Sequence, residues 1–261
     1  MTGDAKQHAQ SESYRVETTS SDGQLNFRQQ LEDLFLSSPL PKEDLLFNLG
    51  MYTRSSLLVK FIVMNDLYER IKDIPGVLME FGVWWGQNLV LMENLRAIHE
   101  PFNKQRTIIG FDTFAGYTSP SHQDKQGSVW AESAYATPEG HRDYLAHLLE
   151  VHEGNNILGH VRGMHHLIEG DVAETVPKYF EDHPESIVAL AYFDLGLYAP
   201  TKAALRAIKP HLVPGSVILM DELSWAESPG EAIAFKEVFA GTSYKIEKCQ
   251  LYPSKTIVTL K

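Results

Sequence analysis

The sequence predicts an α/β fold: a mostly parallel, Rossmann-like sheet of seven strands with an antiparallel edge strand and an N-terminal helical extension. Three observations predict it. Five short apolar runs, VLMEFGV (77–83), TIIGFD (107–112), HHLIEG (165–170), SIVALAYFD (186–194) and SVILMD (216–221), alternate with amphipathic stretches at 86–99, 139–152, 172–182 and 199–209. That alternation is the sequence form of parallel strands covered by helices on both faces. Four of the five runs finish at or beside an acidic residue, and the first passes through a glycine-bearing turn into a helix.

The elements follow in order. Residues 1–24 are rich in Ser, Thr, Gln, Asp and Gly; with few apolar groups to bury, they read as a flexible arm. LNFRQQLEDLFL (25–36) and SSLLVKFIVMNDLYERI (55–71) carry apolar residues at helical spacing, with Ser55 or Ser56 as the cap of the second. Residues 25–75 therefore form N-terminal helices, and 76–261 the Rossmann-like core of a single domain with no internal repeat or linker. The five strands and their crossover helices fill the core. The closing FKEVFAGTSYKIEKCQLYPSKTIVTLK reads as a helix end and two strands joined by a turn at Pro253.

Composition narrows the function. The chain has 261 residues and a net charge of −11, which repels a phosphate backbone in the absence of a Lys/Arg-rich block, so nucleic acid is not an expected partner. One cysteine, Cys249, rules out an internal disulfide framework and a multi-Cys zinc site. The start lacks the apolar core of a secretory signal, and no stretch reaches the length of a membrane span. The expected compartment is the cytoplasm, with no membrane contact.

Ligands of open α/β sheets bind beyond the carboxyl ends of the strands. There the first strand gives Glu80-Phe81-Gly82-Val83-Trp84-Trp85-Gly86, an ExGxxxG turn. Gly82 and Gly86 allow close backbone approach to a ligand, or serve helix–strand packing. Asp112 ends the second strand, where a carboxylate accepts from ribose hydroxyls, or caps the following loop. Together they point to an adenosine ligand. The Glu80 carboxylate repels a pyrophosphate and suits the ammonium and sulfonium of S-adenosylmethionine. Phe81, Thr113 and Phe114 flank the same turns. Asp171 precedes Glu174 by three residues, which matches a helix capping box as well as a cofactor contact. Asp194, Asp221 and Glu222 gather at the ends of neighbouring strands. Three such acids call for a compensating cation, and the oxygen donors favour Mg²⁺; the alternative has Glu222 in solvent and Asp194 on the cofactor.

The series EFGVWWG, GFDTFAGY and DLGLYAPTKAALRAIKPHLVPGSVILMDE resembles the macrocin and mycinamicin O-methyltransferases, which methylate deoxysugar hydroxyls in natural-product biosynthesis. The likeness runs from about Thr53 to Glu222, with Asp112-x-Phe114-x-Gly116 and Tyr198-x-x-Thr201 as its most specific parts. It implies a class I methyltransferase fold, S-adenosylmethionine as methyl donor, a sugar acceptor on a nucleotide or a finished glycoside, and Mg²⁺ on Asp194, Asp221 and Glu222. It also implies a homodimer or larger assembly. Two positions depart from the family. Asp194-Leu195-Gly196-Leu197-Tyr198 stands where relatives read Asp-x-Asp-x-Tyr, so the acid that the resemblance makes the general base is a glycine; and Asp171 stands where an aromatic residue commonly follows the glycine.

Asp194 and a histidine, His141 or His122, are then the catalytic candidates for moving the acceptor's proton. The segment 113–140, with Tyr117, His122, Trp130 and Tyr135, is long for a connection and is expected to cover the site. His160, His165 and His166 have loose spacing for a metal cluster. Trp84 and Trp85 pack or stack at the cofactor turn, and FIVMNDLY reads as helix core. Two rival readings are a catechol-type metal-dependent O-methyltransferase and a non-catalytic nucleotide- or sugar-binding protein.

Overall fold

The computed structural model describes residues 21–125, 130–226 and 228–261. They belong to two compact units, one ending at Ile62 and one spanning Val63–Lys261. The first unit holds helix α1 (Asp22–Leu36), the short α2 (Lys42–Leu45) and a 3₁₀ turn (Leu49–Tyr52). Helix α1 starts inside the segment read as an arm, because Ser21 and Gln24 form a reciprocal capping box there; residues 1–20 lie outside the described ones. Helix α3 (Ser55–Ile71) passes from one unit into the other and buries Val63, Met64, Leu67, Tyr68 and Ile71 in the second.

The second unit is built on a seven-stranded sheet. Its strands are β1 (Val77–Phe81), β2 (Ile108–Asp112), β3 (His165–Glu169), β4 (Val188–Phe193), β5 (Leu212–Met220), β6 (Tyr244–Lys248) and β7 (Thr256–Leu260), in the order β3-β2-β1-β4-β5-β7-β6. The first five are parallel. The closing pair adds the antiparallel element: β7 inserts antiparallel between β5 and β6, leaving β6 at the edge.

Side-chain alternation divides the core between the two faces. Met79, Phe81, Ile109, Phe111, Ile218 and Met220 pack with helices α6 (Val172–Asp182), α7 (Tyr198–Ile208) and α8 (Pro229–Val238) in one continuous cluster. The opposite face receives α4 (Gln87–His99) and α5 (His141–Asn155). Gly110 faces that side, where a Cβ would crowd Leu89 and Val83. All six residues of β4 are buried, as a central strand covered on both faces requires.

The register brings the strand tops level: Phe81 pairs with both Phe111 and Phe193, and Phe193 with Met220. Glu80, Asp112, Asp194 and Asp221 consequently reach the same end of the sheet. Four of the five described non-glycine residues with left-handed backbone, Trp84, Phe114, Ser133 and Tyr135, lie in the loops above it. Such conformations cost about 1–3 kcal/mol each and persist where surroundings enforce them.

Candidate active site

Both glycines of the first turn are fixed by close packing within the protein. A Cβ on Gly82 (φ +88°) would overlap the Asp194 carbonyl oxygen, and one on Gly86 (φ +81°) would overlap the Leu145 side chain of α5. Gly82 N donates to Phe111 O at 3.0 Å and Asp194 N to Phe81 O at 2.9 Å, extending the ladders by one step. Glu80 is buried and accepts from Asn88 Nδ2 at 2.6 Å. Asp112 is heavily engaged: Oδ2 accepts from Val83 N (2.6 Å) and Trp84 N (2.8 Å), and Oδ1 from Phe114 N (2.7 Å). The carboxylate thus shapes the β1 turn and its own loop, and Oδ1 retains room for one more donor.

The segment after Asp112 folds over these turns. Thr113 Oγ1 donates to Gly116 O at 2.6 Å. Tyr117 and Ser133–Ala134 exchange backbone hydrogen bonds at 2.9 Å, and Thr137 closes on Phe114 O at 3.1 Å. Asp124 pins the far end, accepting from Tyr198 N at 2.7 Å and so capping α7, a helix whose own N-cap Leu197 has no side-chain acceptor. Rings then form a continuous series, Trp85–Trp84–Tyr135–Tyr117–Trp130–Trp225, with centroids 5.2–6.1 Å apart. It leads from the first turn to the loop after β5. Trp130 is buried on Gly196 (φ +64°), where a Cβ would overlap its ring.

Below this cover lie the acids. Asp194, Asp221 and Glu222 each present an oxygen within 4.8 Å of the others. Two residues that the sequence reading missed complete the group. Glu231, fully buried at the start of α8, receives Leu195 N and Gly196 N on Oε1 (3.4 and 3.3 Å) and Glu222 N on Oε2 (3.1 Å). Lys255 is buried and pairs with Asp221 while lying over the Tyr192 and Tyr252 rings. Burial first, and then the neighbouring acids, push the carboxyl groups of Glu222 and Glu231 upward. For Lys255 burial works against the charge, but Tyr192, Asp221 and Asp194 outweigh it and hold the ammonium protonated.

Other expected site residues sit elsewhere. Asp171 caps α6 through Ala173 N at 2.8 Å. His141 lies with Nε2 3.2 Å from Trp84 O and its ring against Trp85 and Phe114, so it braces the first turn; among the described residues no hydrogen bond or ion pair joins it to the acids. His165 joins a buried network with Glu93 (2.7 Å) and Glu153 (3.5 Å), apart from His160 and His166. The cation there is Arg96, 2.5 Å from Glu93 and 3.0 Å from Glu153.

A 3-2-1-4-5-7-6 sheet, a glycine turn from β1 into a helix and a covered cluster of acids at the tops of β4 and β5 define a class I, S-adenosylmethionine-dependent O-methyltransferase. The macrocin O-methyltransferase (TylF) family model matches residues 62–240, and the chain belongs to that family. Among solved structures, the calicheamicin methyltransferase CalS11 is 38% identical over 93% of this chain and 94% of its own, with a TM-score of 0.87. A second CalS11 structure, the apo form of this "TDP-rhamnose 3'-o-methyltransferase", is 36% identical over 95% and 97%, with a TM-score of 0.80. The O-methyltransferase NovP shares the fold at 16% identity, 78% and 80% coverage and a TM-score of 0.59. No curated protein sequence matches the chain. Among the described residues no helix is long and apolar enough to cross a membrane.

Proposed function

We propose that this enzyme methylates a hydroxyl of a deoxysugar, carried on a nucleotide or on a glycosylated natural product, in antibiotic biosynthesis. Family membership and the TDP-rhamnose substrate named for CalS11 support the acceptor class. The observation that carries the reading is the set of three carboxylates at adjacent strand tops under an aromatic cover. Methyl transfer is an in-line displacement at the sulfonium carbon, so the protein must hold one acceptor oxygen in line and exclude water. The acids supply acceptors for hydroxyl protons, and the segment pinned by Asp124 covers them.

We place Mg²⁺ on Asp194, Asp221 and Glu222. Glu222 Oε2 is buried and makes no hydrogen bond among the described residues, as a ligand awaiting a cation would be. The ion would lower the pKa of a sugar hydroxyl bound to it. Asp112, Gly82 and Gly86 shape the floor on which the methyl donor lies, with Glu80 beneath it, and Phe81, Thr113 and Phe114 border it. A homodimer or larger assembly in the cytoplasm completes the proposal.

The test is a panel of TDP-deoxysugars, a macrolide glycoside and a catechol, each incubated with S-adenosylmethionine and Mg²⁺ and followed by release of S-adenosylhomocysteine. Turnover of a sugar and not of the catechol supports the reading. Preference for the catechol overturns it.

A further inference from the structure

One side chain ties the tops of β4 and β5 together. Glu231, in the first turn of α8, receives Leu195 N and Gly196 N on Oε1 (3.4 and 3.3 Å) and Glu222 N on Oε2 (3.1 Å). Ser228, the residue before that helix, is buried and donates its hydroxyl to Gly196 O at 3.0 Å. The start of α8 therefore grips both the N–H and the C=O of Gly196. Asp194 lies immediately before the gripped segment, and Glu222 carries the other amide that Glu231 holds. The distance between these two acids is thus set through a third.

The chemistry requires a carboxylate at this position. Two strand tops each offer amide donors to one buried spot, and only a group with two acceptor oxygens serves both. An apolar side chain would fill the volume and leave three amides unpaired. A fully buried acid beside Asp194, Asp221 and Glu222 burdens the fold through like-charge repulsion, and that burden becomes attraction once a cation is bound.

We infer that Glu231 is the positioning residue of the cation site: its own oxygens are taken by amides, and it acts by fixing the Asp194 loop and Glu222 relative to each other. Ser228 supports it on the same loop. The inference rests on the Mg²⁺ placement above and requires no proton transfer.

Glu231→Gln keeps the volume but has one acceptor oxygen, so it holds one strand top and turns an NH₂ toward the other. The probe is Mg²⁺ alone, titrated by calorimetry into the full-length enzyme loaded with S-adenosylhomocysteine. The Kd for Mg²⁺ is expected to rise about tenfold to a hundredfold, the scale of losing a residue that orients metal ligands. Affinity for S-adenosylhomocysteine should not change. The metal-free melting temperature should stay near the wild-type value, while the rise that Mg²⁺ gives the wild-type enzyme shrinks. An unchanged Kd for Mg²⁺, or an equal loss of S-adenosylhomocysteine affinity, overturns the inference. Should Glu231→Gln melt lower without metal, Ser228→Ala decides: it frees Gly196 O and leaves the carboxylate in place, and Mg²⁺ binding as tight as wild type would refute the positioning role. A wild-type enzyme that binds no Mg²⁺ removes the metal placement and this inference with it; wild-type binding matched by Glu231→Gln refutes the inference alone.

Discussion

Trp130 fills the space that a side chain at Gly196 would need. The two residues come from different loops, the long cover after β2 and the top of β4. Their fit sets an indole that is buried and ring-stacked on Tyr117 against the glycine at the strand end. The site therefore takes its shape there from the cover.

Gly196→Ala should be destabilising on two counts, the left-handed backbone (φ +64°) and the overlap with Trp130. The expected cost is about 2–4 kcal/mol, read as a lowered urea midpoint at unchanged slope. Adding Trp130→Ala should relieve the overlap, so that the double variant loses less than the sum of the single ones. Strict additivity would show that the two positions do not compete for space.

Asp112→Ala should weaken S-adenosylhomocysteine binding by more than about tenfold in calorimetry and lower stability by about 2–3 kcal/mol, because it strands the amides of Val83, Trp84 and Phe114. A variant with weakened affinity and wild-type stability would mean that the carboxylate acts on the ligand and not on the turn.

The network beneath α4 makes a pH prediction. Burial pushes the Glu93 carboxyl upward, but the hydrogen bond to His165, the Arg96 charge and Asn156 outweigh it and hold Glu93 below the usual glutamate range. A depressed folded value contributes stability that is complete above the unfolded value of about 4.3 and is lost as pH falls through the folded one. Glu93→Gln should thus cost about 3 kcal/mol at pH 7, with Arg96 and His165 left short of a partner, and the difference from wild type should shrink below about pH 4. A difference that stays constant down to acid unfolding would contradict the assignment.

Much of this was legible in the sequence, for a physical reason. Strand-top acids sit next to apolar runs, so Asp112, Asp194 and Asp221 could be located by counting to the end of a buried strand. Asp171 does cap the helix, but through Ala173 N alone and not through the reciprocal box that its spacing to Glu174 suggested. Lys255 and Glu231 were not legible. Lys255 reads as a turn residue before the last strand and Glu231 as an acid in the first turn of a helix. Only the docking of β7 and α8 against β5 brings them to Asp221 and Glu222. Asp124 is likewise unreadable as the cap of a helix 74 residues away, and the packing of Gly82 and Gly86 against protein is a tertiary fact that a glycine motif does not carry.

The most direct measurement uses S-adenosylmethionine labelled with ¹³C at the methyl group, incubated with the purified enzyme, Mg²⁺ and TDP-rhamnose or a related deoxysugar, with the product read by NMR. The account predicts that the label appears as an O-methyl ether on a sugar carbon and that thorough chelation prevents it. Binding of the methyl donor with no labelled ether on any sugar offered would contradict it.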